Sequence, residues 1–142
     1  NFQRIFIKHA FSSVIDSFPP EQSAIITNMI SETLRGVICQ QLIPRIDQEG
    51  VVPAYEVLIV NTAISNMIRD AKIPLLKNAI ATGKAAGMVL FDNQLKELVD
   101  KGIISGEEAY ARAMNPNTFA QYSGKAPAEG TQEFIDEEYH EE

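Results

Sequence analysis

The chain has 142 residues, 45% of them hydrophobic and 22% charged, which suffices for one domain with a core of its own. Its net charge of −7 argues against a nucleic-acid partner, which needs an excess of Lys and Arg on one face. No apolar run approaches the ~20 residues of a membrane-spanning helix, no signal-peptide pattern opens the chain, and the lone Cys39 excludes an internal disulfide and fits a reducing cytosol.

Residues 1–10 are apolar and basic without a clear period. A helical pattern follows through Phe11, Val14, Ile15 and Phe18 and stops at Pro19-Pro20, because proline lacks a donor and restricts the residue before it. Pro20-Glu21-Gln22 suits the first turn of a second helix. Ile26, Met29, Ile30, Thr33, Leu34 and Val37 recur at three and four and predict its buried stripe, with Gly36 at its end.

Two β-rich runs, Val37–Ile46 and Val51–Val60, flank the turn Asp47-Gln48-Glu49-Gly50 and predict an antiparallel hairpin. Pro53 places its end of the second strand at an edge. Val57-Leu58-Ile59-Val60 is apolar on both faces and calls for cover on both. Glu56 interrupts the apolar run, and strand alternation favours the solvent side for it; a contact to a neighbouring subunit is the alternative.

From residue 61 the pattern is helical. Asn61 or Thr62 caps a helix over Ala63–Asp70. A second spans Ile73–Thr82, with Pro74 in its first turn and Gly83 past its end. A third spans Asp92–Lys101, apolar at Leu95, Leu98 and Val99 and closed by Gly102. Ser105 and Glu108 have the spacing of a capping box for a fourth, which Asn115-Pro116 ends. By content the fold is α+β, mostly helical with one hairpin. Three segments are expected: 1–60 with the hairpin, 61–121 helical, and 122–142 an acidic tail without order of its own.

No catalytic or metal-binding constellation stands out. His9 and His140 are isolated, Cys39 reads as a buried apolar side chain, and Tyr110, Tyr122 and Tyr139 make no aromatic platform. Gly-x-x-x-x-Gly-Lys-Ser/Thr, the cradle that phosphoryl transfer from ATP requires, does not occur; the Gly83-Lys84 and Gly124-Lys125 pairs lack both the earlier glycine and the following hydroxyl. ATP hydrolysis by this chain alone is not expected.

Taken together, Phe18-Pro19-Pro20-Glu21, Leu34-x-Gly36-Val37-Ile38-x-Gln40-x-Leu42-x-Pro44-Arg45, Glu56-Val57 and Ala63-Ile64-x-Asn66-x-Ile68-Arg69 resemble, in order and spacing, the stretch of a type IV pilus retraction ATPase that follows its nucleotide-binding motifs. Gly83, Gly87-Met88, Asp92, Leu95, Gly102, Ile104-Ser105 and Asn115-Pro116 continue in register, so the resemblance runs from about Val14 to Phe119. Relatives of that family in pilus assembly and type II secretion carry a four-cysteine metal element, which one cysteine cannot build.

The resemblance implies the C-terminal part of a RecA-like P-loop domain plus a helical subdomain. It also implies a cytoplasmic bacterial motor, peripheral at the inner membrane, that assembles as a hexamer and works with pilus-base and inner-membrane proteins. ATP and magnesium would be bound by the full-length protein, with no cofactor in this chain. Arg45 then falls near the nucleotide or a subunit boundary, where a fixed cation can sense a phosphate; the alternative is a turn arginine paired with Asp47. Ala63, Ile64, Ser65, Asn66, Met67, Ile68 and Arg69 form the motif that couples nucleotide state to retraction. Its apolar members Ile64, Met67 and Ile68 share one face and are also compatible with core packing. Ser65 stands where the family has Arg, a change expected to be tolerated in reverse because arginine is a good helix former. A non-enzymatic helical interaction module, or a divergent paralogue, is the alternative to the motor reading.

Overall fold

Two nine-residue strands, β1 (Gly36–Pro44) and β2 (Val51–Ile59), form an antiparallel ladder running from Gly36↔Ile59 to Pro44↔Val51. The computed structural model describes residues 6–122; the expected acidic tail lies outside them from residue 123 onward. Helices α1 (Ile7–Asp16) and α2 (Ser23–Thr33) precede the hairpin. After it come α3 (Thr62–Arg69), α4 (Leu76–Thr82), α5 (Phe91–Asp100) and α6 (Gly106–Arg112). Short 3-10 segments at Pro20–Gln22, Ile73–Leu75, Lys84–Ala86 and Pro116–Tyr122 join them. The fold is mostly helical with one two-stranded antiparallel sheet, as the patterns predict.

Alternation divides the hairpin into two faces. Cys39 and Ile43 of β1 and Ala54, Glu56 and Leu58 of β2 point inward and are buried. Two apolar clusters form on that face. Ile43 and Ala54 pack with Phe6, Phe91, Leu95 and Ile104; Cys39 and Leu58 pack with Ile7, Phe11, Ile64 and Ile68. Both clusters draw residues from either side of position 60, so the hairpin is shared by the segments before and after it. The outer face leaves Ile38, Leu42, Val51 and Ile59 exposed.

The second edge of β2 is closed. Val57 and Val89 exchange both backbone hydrogen bonds, at 2.9 and 3.0 Å, and the Tyr55 N–H donates to Gln94 Oε1 at 2.6 Å. Residues 53, 55 and 57 share a parity, so the N–H that Pro53 lacks would have pointed to this same edge; the expectation for Pro53 holds. The turn is fixed from two sides, by Arg45 N–H to the Gly50 carbonyl (3.0 Å) and Ile46 N–H to the Ile103 carbonyl (2.8 Å).

Four expectations are corrected. Helix α1 begins at Ile7, inside the stretch without a visible period, and buries Ile7 and Phe11 while Val14 and Phe18 stay exposed. The stripe assigned to the second helix is only half right: Ile30, Leu34 and Val37 pack against the second cluster, but Met29 and Thr33 are exposed, and the fully buried residue at the α3 contact is Ser31, whose hydroxyl is satisfied by the Asn28 carbonyl at 2.6 Å. Gly36 opens β1; α2 has already ended at Thr33. Glu56, expected toward solvent, is 2% exposed.

Gly36 is required by crowding, since a Cβ there would lie 2.9 Å from the Leu58 carbonyl oxygen. Gly36→Ala is therefore expected to destabilise the chain by about 1–3 kcal/mol, the range for forcing extra volume into a packed site. Urea unfolding of the two proteins side by side checks this.

Candidate functional site

Helix α3 is cut to length by its own chemistry. Asn61 Oδ1 accepts from the Ile64 N–H at 2.9 Å, and so supplies the expected N-cap; Thr62 is the first helical residue. At the other end the Lys72 N–H reaches the Met67 carbonyl (2.8 Å) and the Ala71 N–H the Ile68 carbonyl (3.1 Å), with Ala71 in the left-handed region at φ 56°.

The eight residues present two different surfaces. Ile64 and Ile68 are buried in the second cluster and Met67 packs at its margin, so the apolar members of the predicted motif anchor the helix. Ala63, Asn66 and Arg69, three apart, are exposed. The Arg69 guanidinium leans toward Asn66 Oδ1 at 3.4 Å. Ser65 faces sideways, and its hydroxyl donates to the Ser31 carbonyl oxygen of α2.

Arg45 lies at the far end of the ladder. Its Nε and Nη2 donate to the two carboxylate oxygens of Asp47 at 2.8 and 2.6 Å, a bidentate pair. That pairing raises the arginine's pKa and holds the Asp47 carboxyl below its ordinary value, the shared hydrogen bond being the main cause for both. Arg45 follows the end of β1 and α3 follows the end of β2, so a nine-pair ladder separates them. At about 3.3 Å per residue that is on the order of 25–30 Å. The two predicted site regions are distinct places on the molecule.

Gly83 is packed under Met88, whose Sδ would lie 2.5 Å from an added Cβ, and Lys84 opens a single 3-10 turn. Among the described residues no group of three His, Cys, Asp or Glu side chains is placed to hold a metal ion.

Gln94 is not singled out by the sequence, and the long-range partners of Asp92 and Glu56 are not legible in it. Asp92, in the first turn of α5, accepts from the Met114 N–H (2.7 Å) and the Asn115 N–H (2.9 Å), clamping the end of α6. Gln94 covers the β2 edge, and Glu56 Oε2 accepts from the Ile7 N–H at 2.8 Å. Each pairing spans 22 or more positions, so no local spacing announces it. Burial is the main influence on Glu56 and raises its pKa; the Ile7 N–H opposes that, Asp92 adds to it and Lys77 lessens it. The Cys39 thiol, across the ladder from Glu56, is pushed up to about 11 by burial and by that carboxylate.

No protein-family model matches the chain. It is 44% identical over 106 residues to the type IV pilus retraction ATPase PilT of Pseudomonas aeruginosa, covering 75% of this chain and 30% of that protein. It is 37% identical over 107 residues to a twitching motility protein of Neisseria gonorrhoeae, covering 75% of this chain and 29% of that protein. Its fold superimposes on a crystal structure of the pilus retraction motor PilT with bound ADP, with a TM-score of 0.68 and 29% identity over 80% of this chain and 31% of that one. The chain thus spans under a third of the length of these relatives.

The Ser65 contact reverses the expectation that arginine is tolerated there. Ser65→Arg removes the bond to the Ser31 carbonyl and drives a long side chain into the α2–α3 contact. Loss of at least about 1 kcal/mol is expected, the value of one intramolecular hydrogen bond, and Ser65→Ala should lose a similar amount. Thermal unfolding of both variants measures it.

Proposed function

We propose that this chain, homologous to a part of the type IV pilus retraction ATPases, is the C-terminal, force-transmitting part of such a motor. ATP and magnesium bind in the portion of the relatives outside the match, on a RecA-like core that this hairpin extends. The assembly is hexameric, cytoplasmic and peripheral at the bacterial inner membrane, and it engages pilus-base proteins. No helix among the described residues is long and apolar enough to cross a membrane.

The observation that carries the reading is the division of α3. Its apolar half is fixed in the core through Ile64 and Ile68, while Ala63, Asn66 and Arg69 stand outward on a helix too well anchored to move alone. A contact made by those three residues therefore moves with the hairpin. The outer face of the hairpin supports the larger-sheet reading over a stand-alone module: Ile38 and Leu42 are 69% and 51% exposed, an apolar surface that the rest of a motor domain would cover. Arg45, held rigid by Asp47 at the opposite end, is proposed as the cation facing a neighbouring subunit or its nucleotide.

Asn66→Ala is expected to leave stability within about 0.5 kcal/mol, as for an exposed site. In the encoding gene it should reduce twitching motility with nucleotide binding unchanged. Unimpaired motility, or a variant that unfolds, would show α3 to be structural only.

The chain by itself is expected to release no phosphate from ATP above a protein-free control. Turnover that survives repurification to constant specific activity contradicts the assignment of catalysis to the rest of the motor.

A further inference from the structure

Helix α1 has no N-terminal cap of its own. Its N-cap position is Phe6, and its first turn carries no acidic residue. The service comes from β2: Glu56 Oε2 takes the Ile7 N–H at 2.8 Å, 49 positions away. That carboxylate lies on the inner face between Ala54 and Leu58, at the seam of the two apolar clusters. Phe6 goes into one cluster, against Phe91 with ring centroids 5.5 Å apart, and Ile7 and Phe11 go into the other. Glu56 therefore marks the point where α1 is pinned to the hairpin.

The groups around it do not neutralise it. From α5 comes Asp92, a like charge; from α4 comes Lys77, exposed and acting only at a distance; from β1 comes the Cys39 thiol. Among the described residues no lysine or arginine forms an ion pair with Glu56. A buried carboxylate with one amide donor and no counter-ion is costly to keep charged, and undocking α1 would return it to water.

We propose that Glu56 makes the α1–hairpin joint a release point: its buried charge positions α1 through one hydrogen bond while keeping the docking weak, so that α1 can detach while the hairpin and the helices after residue 61 stay folded. This concerns residues of this chain alone and stands apart from the motor reading.

The sign follows from burial. Docking raises the Glu56 pKa above its ordinary value of 4.5. The neutral form thus favours the docked state. Its contribution is fully present below the ordinary carboxyl value and is lost as pH rises through the raised one.

Hydrogen exchange of the α1 amides in the whole chain, corrected for intrinsic rates, tests the inference, with α5 amides as reference. In the native protein, opening of α1 relative to α5 should increase as pH is raised from about 4 to 8, about tenfold per unit by which docking raises the pKa. Glu56→Gln, which keeps the acceptor without the charge, should abolish that dependence and reduce opening at neutral pH. Glu56→Leu, lacking both, should also be independent of pH but open its first turn more than Glu56→Gln. A native α1 whose opening does not vary with pH, or a Glu56→Gln chain whose α1 opens as readily as the native one or fails to fold, would overturn the proposal.

Discussion

The second edge of β2 is the constraint on which the arrangement after residue 61 depends. A two-stranded hairpin is marginal alone and leaves two open edges. Here Val89 and Gln94 close one of them with three hydrogen bonds to Tyr55 and Val57. Those bonds set the place of the segment before α5 and of α5 itself. Asp92, two residues earlier on the same helix, then fixes the end of α6 through Met114 and Asn115. The order of dependence runs from backbone groups that must be paired, to the helix that pairs them, to the apolar residues Phe91 and Leu95 that this helix carries into the core.

What was legible in the sequence was what is written locally. The hairpin, the Asn61 and Ser105 caps, and Gly102 after α5 rest on neighbours a few positions apart. Even there one partner changed. Ser105 accepts from the Glu108 N–H as the spacing predicts, and the Glu108 carboxylate pairs with Arg112 at 2.8 Å. Glu56 departs from the expectation because alternation gives a period and not a phase. Apolar residues occupy both faces of β2, so the choice of inner face falls to groups far away, above all the Ile7 amide. The start of α1 is hidden for the same reason, since the acceptor for its first N–H is 49 positions downstream.

Position 65 shows how a single side chain can tie the flank of a helix to its neighbour. In the family pattern an arginine stands there, on the flank of α3. The serine of this chain has no reach and instead bonds to the backbone of α2, and Ser31, the buried residue at that contact, offers its carbonyl to it. The flank thereby becomes part of the α2–α3 contact, and the outward surface narrows to Ala63, Asn66 and Arg69. The motif's apolar residues could not report this division. Ile64 and Ile68 look the same in sequence whether they face a core or a partner, and only the packing of Leu58, Leu76 and Ile80 around them decides it.

The distance between Arg45 and α3 bears on how any motion would pass between them. Nine paired residues connect the two ends, with the ladder's inner face bound into both clusters and one edge closed by Val89 and Gln94. A hairpin held this way resists bending, so a displacement at the Arg45 turn arrives at Asn61 as a displacement of the whole unit. The turn is itself tied to the α5–α6 connection through Ile46 and Ile103, which ties the helical side to the same movement. Helix α1 is the exception. It enters both clusters, yet its N-terminus is attached through the buried Glu56 carboxylate, whose charge is costly to keep out of water. Stiffness along the ladder and weakness at its junction with α1 are complementary: a rigid body transmits displacement only if it is free to move against what precedes it.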